Sequence, residues 1–189
     1  MPVIKKEDTT KGLNMRIQLP SVKVAIQCMD EEFVESKSSG NFHIHRKWQV
    51  IQASEVKVNN DTIDLLGVEL EQYLTTKWSD GKGGFLPVTD PKVKKGMNRV
   101  YENFEILKLD TGEGVDTDNP PLICKGIVAD VVIGSQAQDL RNPPTPEQLA
   151  KGQKVGDVKL DDATGKPIQI FRPNISYFTS RSEVAPQPF

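Results

Sequence analysis

The stretch from Asp90 to Leu109 narrows the fold more than any other part of the chain. Val93, Met97, Val100, Phe104 and Leu107 recur at steps of four and three, which sets all five on one stripe of an α-helix. Tyr101 widens the stripe. Lys92, Lys94, Lys95, Asn98, Arg99, Glu102, Asn103 and Glu105 fill the polar side. Asp90 suits the N-cap, where its carboxylate accepts from orphan amides, and Pro91 at the first helical position loses no bond there. Thr111-Gly112 predicts the stop. Gly96 is the weak point, at about 1 kcal/mol against Ala. From Arg99 onward, Val100, Glu102, Phe104 and Ile106 also alternate as in a strand. The longer period and the cap agree on helix. Such a stripe needs a surface to cover, and the segments on either side read mostly as strands.

The chain of 189 residues suits one domain with extensions. Its hydrophobic share of 37%, with 13 prolines and 14 glycines, predicts a modest core with long loops. We read residues 1–14 as a flexible arm, 15–180 as the domain and 181–189 as a flexible tail. Cys28 and Cys124 each sit in an apolar run and read as buried free thiols. No apolar run reaches membrane-span length and the N-terminus lacks an apolar signal core, so the expected location is the cytoplasm. A net charge of −2 gives no global basic signature, so any nucleic-acid site must be a local patch.

In chain order, Val22, Val24, Ile26 and Cys28 alternate with polar or small residues and predict a half-buried strand running towards Glu35. Lys37-Ser38-Ser39-Gly40 is turn chemistry. From Asn41 to Gln52 a second strand sets Phe42, Ile44, Trp48 and Val50 on one face with Arg46 among them. His43, His45, Lys47 and Gln49 take the other face. A turn at Asn59-Asn60-Asp61 precedes a third strand region, Thr62 to Thr76, broken near Gly67, with Leu66, Val68, Leu70 and Leu74 on one face. The loop from Lys77 to Pro87 is glycine-rich. After the helix, Leu122 to Ile133 is apolar on both faces and predicts a central strand ending at Gly134. Residues 135–165 read as a polar insertion containing one short helix, capped by Thr145 with Pro146 and Gln148 behind it. Pro167 to Phe178 gives the last strand.

This order predicts a mainly β domain with one major helix. A five-stranded Greek-key barrel, with the helix between strands three and four and a long insertion before strand five, is the oligonucleotide-binding (OB) arrangement. A β-sandwich with a stray helix fits the same pattern.

Glu35-Ser36-Lys37-Ser38-Ser39-Gly40-Asn41 before a Trp-bearing strand resembles the first hairpin of a family of bacteriophage single-stranded-DNA-binding proteins with this barrel. Lys125-Gly126 beside an apolar strand, and Gly165-Lys166 before the last strand, extend the resemblance over roughly Val22 to Phe178. The 135–165 insertion departs from the pattern. The resemblance implies binding of single-stranded DNA in replication and recombination. The close at Pro186-Gln187-Pro188-Phe189 is similar to the Pro-Phe ends of bacterial single-stranded-DNA-binding proteins. It implies a partner-binding tip at Pro188 and Phe189 that meets replication or recombination proteins.

Convergent catalytic groups are not recognisable, so the expectation is a non-enzyme without metal or cofactor. His43 and His45 share a strand face, but no third ligand with metal-site spacing completes them. Gly81-Lys82-Gly83-Gly84 lacks the spacing of a phosphate-binding P-loop. Binding a single strand requires cations along a groove and aromatic faces for stacking. The candidates are Lys37, His43, His45, Arg46, Lys47, Lys77, Lys82 and Arg172 for charge, and Tyr73, Trp78 and Phe85 for stacking. Trp78 leads them because its loop reads as polar and flexible, whereas Trp48 reads as core. The alternative is a structural or adaptor protein, such as a virion component, that uses the barrel to bind protein. The near-neutral charge favours that alternative, and the hairpin and loop composition favours DNA. A homo-oligomer is compatible with either.

Overall fold

The computed structural model describes residues 18–58, 61–112 and 114–188. The expected arm at 1–14, residues Asn59 and Asn60 of the expected turn, and Phe189 lie outside them. Five strands form one antiparallel sheet: β1 (Val22–Glu35), β2 (Phe42–Ala53), β5 (Glu69–Lys77), β6 (Val128–Asp139) and β7 (Gln169–Arg181). Their order across the sheet is β5-β2-β1-β6-β7. A small hairpin of β3 (Val56–Val58) and β4 (Asp61–Ile63) fills the path between β2 and β5; the sequence reading has the start of a strand at Thr62 but not β3. The helices are α1 (Pro91–Ile106) and α2 (Pro146–Ala150). Among the described residues, no helix is long and apolar enough to cross a membrane.

The protein is mainly β, as expected, but the sheet does not close into a barrel. Shifts in the β1–β2 register at Ala25/Ile26 and Cys28/Asp30 bend β1. The outer strands β5 and β7 touch each other and both touch α1, yet no ladder joins them among the described residues. Side chains on β5 bond the connector after α1 instead: Thr76 Oγ1 donates to Thr117 O, and Lys77 pairs with Asp118.

The helix begins as expected. Asp90 caps it, accepting from Lys92 N at 2.8 Å, and Pro91 opens it. It stops earlier than Thr111-Gly112 implied. Lys108 takes a left-handed φ of 52°, Leu109 N bonds Phe104 O, and Lys108 N bonds Glu105 O, a Schellman closure without glycine. The apolar stripe is buried. Val93, Met97, Val100 and Phe104 pack with Ile44 of β2 and Leu74 of β5, while Leu107 joins the main core of Ile26, Cys28, Trp48, Val50, Leu70, Val131 and Ile133.

Other boundaries differ for local reasons. Gly67, at φ 78°, breaks the alternation, so Leu65 and Val68 are buried while Leu66 is exposed. Residues 122–127 lie outside any strand, with a turn at 125–126, where Gly126 N bonds Cys28 O of β1 and Ile127 O accepts from Cys28 N. The apolar strand then runs through Gly134 to Asp139, because β7 stays paired with it to Gln169. The insertion therefore starts at residue 140. Pro173 does not interrupt β7, since it lies on an outer strand where a missing amide is tolerated. The α2 capping box forms as expected, between Thr145 and Gln148. Along its described length the tail touches the domain. The buried Gln27 side chain donates to Gln187 O at 3.1 Å and accepts from Gln187 N at 2.8 Å.

Candidate nucleic-acid interface

Pairing of β1, β2 and β5 decides which of the expected residues meet solvent. Arg46 lies in step with Ile44 and Trp48, hence inside. It is 0% exposed, and its Nε donates to Glu31 Oε1 at 2.6 Å and its Nη1 to Asn103 Oδ1 at 2.6 Å, with the guanidinium over Phe104. Glu31 also accepts from Cys124 N. Arg46 forms a core ion pair, so its charge is not presented on the outer face of β2 with the other expected cations. Beside it, Cys28 and Cys124 are free and buried, and the hydrogen bond to Cys28, with burial, pushes the Cys124 thiol far above its usual range.

Trp78 is also turned inward, on a loop held by hydrogen bonds. Asp80 Oδ1 accepts from Lys82 N and Gly84 N, Leu86 N bonds Trp78 O, and Ser79 N bonds Asn41 Oδ1 across to the β1–β2 turn. Those two amides also hold the Asp80 carboxyl below the usual range. The indole is 7% exposed and packs against Gly96 of α1, so a base cannot stack on it.

The outer face of β2 and β5 carries His43, His45, Lys47 and Tyr73, as expected, but much of its charge is neutralised. Glu32 stands opposite His45 and bonds its Nδ1 at 2.8 Å, with Glu71 3.6 Å from Nε2. Lys47 lies 3.6 Å from Asp30. Lys77 pairs with Asp118 and lies over the Phe85 and Phe42 rings. Burial, and then the neighbouring His45, lower the His43 pKa, so it adds no cation at neutral pH. Lys37 and Lys82 remain exposed on turns, and Phe85 is partly exposed. Arg172 lies on β7, at the other edge of the sheet, in a cleft shared with Arg141 and Lys154 rather than with the hairpin residues. Pro188 is exposed.

Tyr73 stands on β5 with its ring open to solvent. It is 54% exposed, its ring stacks on His45 at 4.4 Å and 6°, and His43 meets it edge-on. Burial first, then the Glu71 charge and hydrogen bond, raise its phenol above the usual pKa, so it stays neutral. Tyr73 also lines a groove of about 320 Å³ between β5 and α1, together with Leu74, Thr75, Trp78 and Val100. The helix side of that groove supplies Lys92, Lys95, Gly96 and Arg99. Sequence reasoning places these three cations on the polar side of the helix and stops there. The signal that points further is their spacing, steps of three and four that align them on one stripe with Gly96 between them.

No family model, curated protein or solved structure matches the chain.

Proposed function

We propose that the protein binds single-stranded DNA without catalysing a reaction, on an OB-like scaffold. Tyr73 carries the reading. A half-exposed ring, backed by His45 and held on a strand beside a cationic groove, is the element that unpaired bases require. The strand order β5-β2-β1-β6-β7, with α1 between the third and fourth strands of the sheet, is compatible with an OB-like Greek key left open between its outer strands. The resemblance to bacteriophage single-stranded-DNA-binding proteins agrees with this reading and implies roles in replication and recombination. On it, the Pro188-Phe189 end meets replication or recombination proteins. Labelled oligo-dT titrated with protein at low salt should show saturable anisotropy, and duplex of equal length should compete poorly. Tyr73→Ala should weaken oligo-dT binding by about 1–3 kcal/mol and leave the melting temperature nearly unchanged. If wild type leaves oligo-dT unbound at micromolar protein, the reading fails and the interaction-protein alternative replaces it.

A further inference from the structure

We infer that the groove between α1 and β5 is a phosphate track, in which Lys92, Lys95 and Arg99 hold the backbone of the strand whose base stacks on Tyr73. The inference rests on the single-strand reading and names residues that the sequence resemblance does not include. On strands β2 and β5 the basic groups are matched, Arg46 by Glu31, Lys47 by Asp30, Lys77 by Asp118 and His45 by Glu32, while Lys37 and Lys82 stand on turns outside the groove. Among the described residues, Lys92, Lys95 and Arg99 make no ion pair, and no acid lines their groove. A phosphate entering there displaces no carboxylate. Seven residues of helix separate Lys92 from Arg99, roughly 10 Å at 1.5 Å per residue. Glu102, one turn further along the same stripe, ends the cationic run.

The groove is built rather than incidental. Gly96 sits in the middle of the cationic stripe, and a Cβ there would meet Trp78 Cζ2 at 2.0 Å. The missing side chain lets the indole form the floor while the cations stand at the rim. Across from them, Thr75 is bonded to His43 at 2.9 Å and Tyr73 is braced by His45, so the far wall is polar and aromatic. Cations on one wall and a stacking ring on the other match a nucleotide's two halves, its phosphate and its base.

The test uses the full chain and three probes: oligo-dT, an abasic strand of the same length, and inorganic polyphosphate. The Lys92→Gln/Lys95→Gln/Arg99→Gln variant carries three exposed changes, and its thermal melt verifies folding. Each phosphate that the protein no longer neutralises should reduce the log–log salt slope by about 0.7 for a single strand. The triple variant should therefore give up about 2 of its oligo-dT slope and most of its affinity for the abasic strand. Tyr73→Ala should weaken oligo-dT, keep the slope and leave abasic binding unchanged. Trp78 emission should shift on binding in wild type and not in the triple variant. A triple variant with the wild-type slope overturns the phosphate track while the single-strand reading stands. If wild type binds no oligo-dT but polyphosphate shifts Trp78 emission in a manner the triple variant abolishes, the single-strand reading fails and the groove survives as a polyanion site. Silence with all three probes overturns both.

Discussion

Gly96→Ala sets two effects of known sign against each other. In an exposed helix interior the change should stabilise by about 1 kcal/mol. Here the new methyl would lie 2.0 Å from Trp78 Cζ2 and 2.2 Å from Cη2, far inside the roughly 3.5–4.0 Å at which carbons attract. Relief requires moving the indole or the helix by more than an ångström. The indole is packed among Ile44, Leu74, Met97 and Val100, so it has little room. Overpacking costs about 1–3 kcal/mol, and so buried a ring belongs at the upper end. The net expectation is a loss of about 2 kcal/mol, or about 4–8 °C in Tm for a domain of this size. Urea unfolding should show a lower midpoint at unchanged slope. In a Trp78→Leu background the clash is gone, and the same substitution should become stabilising, giving a coupling of several kcal/mol in the double-mutant cycle. A Gly96→Ala protein about 1 kcal/mol more stable than wild type would refute the contact, and with it the reason for a glycine at this position.

Two further substitutions probe the parts of the structure that the sequence conceals. Arg46→Met leaves the Glu31 carboxylate, 2% exposed, without its cation, and should cost about 3–5 kcal/mol; adding Glu31→Gln should recover part of it, because Gln still accepts from Cys124 N. A chemical denaturation curve checks this, and a loss under about 1 kcal/mol would show that Arg46 reaches solvent. Gln27→Ala removes both bonds that hold Gln187, so hydrogen exchange at the Gln187 amide should speed up markedly; unchanged exchange there would mean that the tail is held by something else.

Periodicity made the helix, the first hairpin and the central strand legible, because burial of one face imposes a repeat on the sequence. The buried stripe Val93, Met97, Val100, Phe104, Leu107 is the clearest case. Arg46 was legible in the same way, since its step placed it inside with Ile44 and Trp48; its charge, not its position, made it look like a ligand contact. Local chemistry failed where a distant partner decides. Lys108 ends the helix in a conformation that favours glycine, held by bonds to Glu105 and Phe104. Gly134 does not end its strand because β7 continues beside it. The bond between Gln27 and Gln187 spans 160 residues and leaves no local trace.

The outer face of β2 is less cationic than its sequence suggests, for an electrostatic reason. Basic residues on an exposed strand are counted one by one in a sequence, but a sheet sets them against whatever the next strand carries. On β1 that neighbour is acidic: Asp30 meets Lys47, and Glu32 meets His45. A phosphate approaching β2 must compete with carboxylates already in place, and exposed pairs of this kind contribute little net attraction. On a helix the partner is three or four residues along the same chain, so the sequence does say which cations are unmatched. Lys92 and Lys95 have no acid three or four residues away; Arg99 has Glu102 three residues on, but among the described residues the two form no ion pair and no acid lines the groove. Three cations without ion pairs thus line one groove with Tyr73, where, on the proposed reading, stacking and phosphate binding would act on the same nucleotide.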